Sequence, residues 1–383
     1  MPEAVIVATG RSPIGRAGKG SLVNVRPDDM LGYIVQKVLE KVPELPHDQI
    51  EDLICGCGFP QGETGMNVGR LAVFLSGLPD SVPGTTVNRF CASSLQSIRM
   101  AYHAIKAGEA NAIVAAGVEC CSRVNTIPHA EDINIRLSGP EAIADAYITM
   151  GMTAENVAVK YGITREEMDQ FAYESQMKAT RSRDEGIFAY EIIPVTTPDG
   201  TEVSQDDGIR SSTTLEGLAQ LKPVFKEDGR VTAGNACPLN DGAAAVVVMS
   251  DEKAKQLGIK PLARILGSAV SALDPAIMGV GPIEACRKVF AQTGMTVDDI
   301  DVVELNEAFA AQVIPVSREV AWDMEKLNPH GGAIALGHPF GMTGARIMTT
   351  LLNDLQTLDK TYGLETMCVG GGQGMAMIVE RLN

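Results

Sequence analysis

Two stretches of this chain share one pattern 250 residues apart, and that repeat constrains the fold more than any other feature. DQIEDLIC around Ile50 and DDIDVVEL around Ile300 each place Asp-x-Ile-acid before a short apolar strand, and 300 − 50 gives the offset of 250. A helical pattern precedes each, over 28–42 and over 282–293. Downstream of each, a bend opens a helix that leads into another apolar strand. These are VNRFCASSLQSIRM then AIVAAG, and GHPFGMTGARIMTTLLNDL then TMCVGG. Ile50 to Cys91 is 41 residues and Ile300 to His338 is 38. Read as a duplication, the pattern predicts Cys91 and His338 at equivalent helix starts, facing each other across a pseudo-dyad. The competing reading is a chance likeness of two α/β units.

The chain in order supports an α/β layer architecture. AVIVAT at 4–9 reads as a buried central strand, 50–56 as a strand, 66–75 as a helix, 85–88 as a strand and 112–117 as a strand. Between 119 and 242 the pattern changes. Two charged helical stretches, TAENVAVKYG and REEMDQFAYESQMKATRSRDEG, precede the loop-like TTPDGTEVSQDDGIRSSTT. This region reads as an insertion over the α/β body. The strands AAAVVVMS and LARILGSAVSA then return to the earlier style. The expected division is a first half at 1–118 completed by about 243–268, an inserted loop domain at 119–242, and a second half at 269–383.

Composition narrows the function classes. A net charge of −16 opposes binding to nucleic acid, whose phosphates would be repelled. No apolar run reaches the roughly 20 residues needed to span a bilayer. MPEAVIVATG has no basic start and reads as a first strand rather than a leader, so a cytoplasmic location with free thiols is expected for the eight cysteines. Cys55-x-Cys57 lacks metal-site spacing, and Cys120 and Cys121 cannot share one strand face; structural roles and no metal site are expected.

Cys91 lies where a strand ends and a helix begins, flanked by Ala92, Ser93 and Ser94. The helix dipole favours a thiolate there, and moving a thiol from about 8.5 to about 7 takes only roughly 2 kcal/mol. A buried structural cysteine explains the same residues equally well. Three later stretches set chemistry-capable side chains beside strand ends or glycines: Asn306 in ELNEAF, His338 in LGHPFG, and Cys368 in CVGGGQG. Together they offer a nucleophile, a base, an oxyanion donor and a second acid/base group.

The chain resembles the thiolase family. VNRFCASSLQS is similar to its nucleophile motif, ELNEAFAAQ to its asparagine motif, GGAIALGHPFGMTG to its histidine motif and CVGGGQGMA to its C-terminal cysteine motif. The likeness runs end to end and includes VTAGNACPLNDGAAA and DPAIMGVGP. It implies a five-layered α-β-α-β-α fold with an inserted loop domain, and ping-pong acyl transfer between coenzyme A thioesters. Cys91, deprotonated by His338, would carry the acyl group, and Cys368 would exchange a proton with the acetyl-CoA carbon. Asn306, through a held water, and His338 would bind one thioester oxygen, while N–H groups near Cys91 and Gly372 would bind the acyl oxygen. No prosthetic group is implied; coenzyme A and acyl-CoA are substrates. Arg210 matches the adenine side of the coenzyme A site, and Phe225, Ala233, Leu239 and Phe309 match its pantetheine tunnel. Met150 and Met278 match positions around the acyl group. The family also implies a homodimer or homotetramer, with a β-oxidation dehydrogenase as a candidate partner. The main alternative is a non-catalytic acyl-CoA or lipid binder of the same fold.

Four positions depart from the family pattern. Ser94 stands where glycine is usual, and Cys237 replaces a serine in the coenzyme A tunnel. Thr149 replaces a histidine of the biosynthetic members, which makes the chain look closer to the degradative type. His330 replaces an asparagine and is a rival base to His338.

Overall fold

The computed structural model describes residues 2–127, 129–139 and 142–383. Nine strands form one continuous sheet: β1 (Ala4–Arg11), β2 (Asp52–Gly56), β3 (Gly84–Val87), β4 (Ala112–Cys120), β5 (Asn240–Ser250), β6 (Ala263–Ala272), β7 (Val302–Leu305), β8 (Tyr362–Val369) and β9 (Gln373–Arg381). Their order is β7-β8-β9-β6-β1-β5-β4-β2-β3, with the pair Gly15–Arg16 added beside β5. β1 and β6 meet across only two residue pairs, Val5 with Arg264 and Ile6 with Ala263, so the sheet divides there into two leaves.

The leaves repeat each other. From the centre outward one runs β1-β5-β4-β2-β3 and the other β6-β9-β8-β7, with Leu327 bridging to Val303 where β3 would lie. Leu53 pairs with Val114, and Val303 pairs with Leu364. Both residues of the second pair lie 250 positions after those of the first (303 − 53 and 364 − 114). The duplication is therefore one of topology and register. One boundary moves: β6 pairs with β9 along its length, so it opens the second half instead of completing the first. The division falls between β5 and β6, before the expected 268/269.

Alternating strand residues build five layers. On β2 and β5, Leu53, Cys55, Val247 and Met249 pack outward with helix α1 (Pro27–Leu39) and helix α2 (Val68–Leu75). Ile54, Val246 and Val248 pack inward with α3 (Ser93–Ala107). Within the insertion, α4 (Met150–Lys160) and α5 (Arg165–Asp184) occupy the two charged helical stretches. In the second leaf Ala376 and Ile378 face α6 (Gly281–Thr293) and α7 (Ala310–Val320), while Met375, Met377 and Val379 face α8 (Thr343–Thr357). The central layer is thus α3 against α8. They touch backbone to backbone at their first turns, where a Cβ on Gly344 would overlap the Leu95 main chain. Ser94 Oγ accepts the Ala345 N–H at 2.9 Å, so the serine found in place of glycine satisfies a free N–H at the start of the opposite helix.

The insertion leaves after β4 and returns at β5. Its loop-like stretch is irregular apart from a two-residue hairpin, Val195–Thr196 with Glu202–Val203. It is fastened by Arg11 at the end of β1, a fully buried guanidinium that bonds Glu191 Oε1 at 2.7 Å and Asp206 Oδ1 at 2.7 Å. Asp207 Oδ2 accepts the N–H groups of Arg16 and Ser21, both at 2.8 Å. Among the described residues no helix is long and apolar enough to cross a membrane. Arg11→Met leaves two carboxylates buried without their cation, so it is expected to cost about 3–5 kcal/mol of stability. A urea unfolding midpoint unchanged from wild type would contradict that.

Candidate active site

After β3 the chain turns at Phe90, whose φ of +44° is a strained left-handed conformation for a non-glycine residue. Ser93 holds the turn, its hydroxyl accepting the Arg89 N–H at 2.9 Å and donating to the Phe90 carbonyl at 2.7 Å. Cys91 sits in this turn, immediately before α3, and is only 6% exposed. The main-chain N–H groups of Gly370 and of Cys91 itself favour its thiolate. Burial nevertheless pushes the thiol up to about 11, and the nearby Glu119 charge adds to the rise. The standing thiolate expected from the helix dipole is therefore not what this site holds, because loss of hydration outweighs the N–H groups. Cys91 rests as a neutral thiol.

His338 is 1% exposed at the bend before α8. Its main-chain N–H donates to Asn240 Oδ1 at 2.9 Å. Gly337 precedes it at φ +117°, where a Cβ would come within 2.7 Å of the Asn240 amide, so only glycine fits. Burial, then the Arg346 charge, drives the imidazole down to about 3, which leaves it neutral in the resting site. Its Nδ1 lies 2.6 Å from Thr343 Oγ1. The Asn306 amide nitrogen approaches at 3.3 Å from Nε2 and 3.5 Å from Nδ1, bringing two of the expected residues together. The Asn306 side-chain oxygen is buried with no protein partner among the described residues.

The strict register equivalent of Cys91 is Gly341 (91 + 250), three residues beyond His338, because α3 begins at Ser93 and α8 at Thr343. The two candidate side chains thus share a bend but not a position in it. Cys368 lies fully buried near the end of β8, within electrostatic reach of Cys91 and Cys237, and its thiol is pushed well up by burial. The Gly372 carbonyl accepts the Leu273 N–H at 2.8 Å, and the neighbouring glycine whose N–H acts on the Cys91 thiol is Gly370. The glycine run made the two hard to distinguish in sequence.

The expected coenzyme A contacts divide. Arg210 is exposed beside Arg16, and among the described residues neither guanidinium has an ion-pair partner. The exposed Phe225 ring lies over Gly151 and edge-on to Phe309 at 6.3 Å between centroids. Ala233 and Leu239 are exposed, as a tunnel lining requires. Met278 and Phe309 are instead buried in the packing cluster that contains Cys368, with Met150 and Cys237 at its margin.

His330 bonds Asp354 and lines a surface cavity with Lys178, Arg181 and Glu185, which separates it from the cysteines. Glu119 escaped the sequence reading. Fully buried at the end of β4, it accepts the N–H groups of Gly58 at 2.8 Å, Phe59 at 3.3 Å and Gly341 at 2.9 Å. It thereby joins the loop after β2 to the bend that carries His338. Burial raises its carboxyl to about 7. Its one sequence signal is an acid ending an otherwise apolar strand, AIVAAGVEC.

A buried thiol, a neutral imidazole and converging N–H donors support acyl transfer through sulfur. Residues 4–252 match the family description "Thiolase, N-terminal domain" and 259–381 match "Thiolase, C-terminal domain". The chain is 46% identical to a β-ketoadipyl-CoA thiolase of Acinetobacter baylyi, covering 100% of both chains. It is 43% identical to a 3-ketoacyl-CoA thiolase of Bacillus subtilis, over 99% of this chain and 100% of that one. The crystal structure of Bacillus anthracis acetyl-CoA acetyltransferase superposes with a TM-score of 0.93 at 39% identity, covering 100% of this chain and 99% of that one. The protein is an acyltransferase working on coenzyme A thioesters. It belongs to the thiolase family.

With a thiol near 11, alkylation of Cys91 by iodoacetamide is expected to keep rising through pH 9. A plateau below pH 8, followed by mass spectrometry of the Cys91 peptide, would show a standing thiolate instead.

Proposed function

We propose that this thiolase works by a ping-pong mechanism in which Cys91 carries the acyl group, mainly in the degradative direction. The observation that supports it most is geometric: Cys91 and His338, both buried, sit in the bends that open α3 and α8, whose first turns touch. His338 takes the Cys91 proton as the sulfur bonds to the 3-keto carbon of a 3-ketoacyl-CoA. The developing oxyanion is held by the N–H groups of Cys91 and Gly370. The C2–C3 bond then breaks, and the acetyl-CoA carbanion takes the Cys368 proton. Asn306, with His338, stabilises the thioester oxygen of that enolate. In the second half-reaction the coenzyme A thiol gives its proton to Cys368 and attacks the acyl group, and Cys91 leaves with the proton held on His338. Synthesis runs the same steps backwards.

Arg210 with Arg16 is assigned to the coenzyme A phosphates, and Phe225, Ala233 and Leu239, with Cys237, to the pantetheine arm. The segment 119–242 acts as the inserted domain that carries these contacts. Met150, beside Phe90 and Gly370, is assigned to the acyl pocket, with Met278 supporting it from the core. We assign the enzyme to the cytoplasm, with a β-oxidation dehydrogenase upstream.

Incubation with acetyl-CoA is expected to add one acetyl mass to Cys91, and Cys91→Ala to abolish it. Cys368→Ala is expected to acylate but turn over at least about a hundredfold more slowly. Coenzyme A binding without thiolysis of acetoacetyl-CoA would favour a non-catalytic binder. Comparing thiolysis of C4, C8, C16 and 3-oxoadipyl substrates sets the acyl preference.

A homodimer, or a tetramer built from it, is supported by β3, a sheet-edge strand whose four residues are only half buried. Light scattering is expected to give at least twice the 40.6 kDa chain mass; a monomer at micromolar concentration would count against it.

A further inference from the structure

We propose that Thr343 is a positioning residue that holds the proton of neutral His338 on Nδ1 and so keeps Nε2 free as the base. This rests on the reading of His338 as the group that deprotonates Cys91. Thr343 is fully buried in the first turn of α8. Its Oγ1 lies 2.7 Å from the Pro339 carbonyl oxygen and 2.6 Å from His338 Nδ1. A hydroxyl has one proton for these two contacts. A carbonyl has none to give, and two oxygens at 2.7 Å repel unless a proton lies between them. The hydroxyl proton therefore points to Pro339, and the Nδ1 contact is made by a proton on the ring.

The other neighbours do not compete for this assignment. The Asn306 amide nitrogen is nearly equidistant from the two ring nitrogens, at 3.3 and 3.5 Å. An amide aligned with one nitrogen's lone pair would be much farther from the other, so it lies off both directions. Phe340 meets the ring at 5.0 Å between centroids and 88°, offering no polar atom. A neutral imidazole has one N–H, and Thr343 places it. Nε2 is left as the only lone pair able to take the Cys91 proton. Once it has done so, the same nitrogen becomes a donor, so His338 serves first as base and then as an oxyanion partner without turning its ring. The sequence hid this because Thr343 is five residues from His338 in a glycine-rich stretch and reads as an ordinary helix-start residue.

The test combines a spectrum of the resting enzyme with two variants. In 15N-histidine-labelled wild type, two-bond proton–nitrogen correlations, assigned to His338 by comparison with His338→Gln, are expected to show Nδ1 protonated and Nε2 bare. Thr343→Val keeps the shape but offers Nδ1–H no acceptor. It is expected to slow acylation of Cys91 by acetyl-CoA about ten- to a hundredfold while KM changes less than about twofold. Thr343→Ser is expected to restore the rate. A wild-type spectrum with the proton on Nε2 overturns the proposal, as does Thr343→Val at the wild-type rate or Thr343→Ser as slow as Thr343→Val. If the spectrum is as expected but His338→Ala still acylates at the wild-type rate, the assignment of His338 as base fails while the tautomer stands, which separates the two claims.

Discussion

Everything at the candidate site depends on one close contact, the meeting of the first turns of the two central helices. Gly344 lies against the main chain at Leu95, and Ser94 accepts the Ala345 N–H across the pseudo-dyad. Gly117 allows the Gly341 carbonyl equally close to β4. A side chain at either glycine would push the helix starts apart. Because each helix start carries one candidate reactive group, packing at the dyad brings the two bends together.

That same burial sets the electrostatics. Desolvation raises the thiol of Cys91 and lowers the imidazole of His338, so both groups rest uncharged. An ion pair here would lose hydration with few donors to replace it, whereas a neutral pair waits for the substrate to supply the carbonyl that accepts the developing charge. Glu119 fits the same logic: a carboxylate without a cation is tolerable because three main-chain N–H groups converge on it, and those hydrogen bonds lock both loops at the site.

Arg11 performs a different task. Its two buried ion pairs fasten the insertion to β1, and Asp207 fastens the following turn, which sets Arg210 beside Arg16. The irregular stretch that sequence reading could describe only as a loop is thus fixed by Asp206, which with Glu191 meets Arg11 at the end of a central strand. No local pattern announces such a contact, since Arg11 lies 180 and 195 residues from its two partners.

The sequence by itself determined the repeat and the alternation of helices and strands, and it singled out Cys91, Asn306, His338 and Cys368 as candidates, because these are written in local periodicity and in motifs that lie within a few residues. Strand spans such as Ala4–Arg11 and helix α6 fell close to the expected ones for that reason. Quantities that depend on distance through space belonged to the tertiary structure alone. Which glycine N–H reaches Cys91, Gly370 or Gly372, depends on how one turn is wound. The ownership of β6 depends on which neighbour it pairs with. The charge state of Cys91 depends on how much water the packed helices exclude, and a helix-start rule sees the dipole but not the burial.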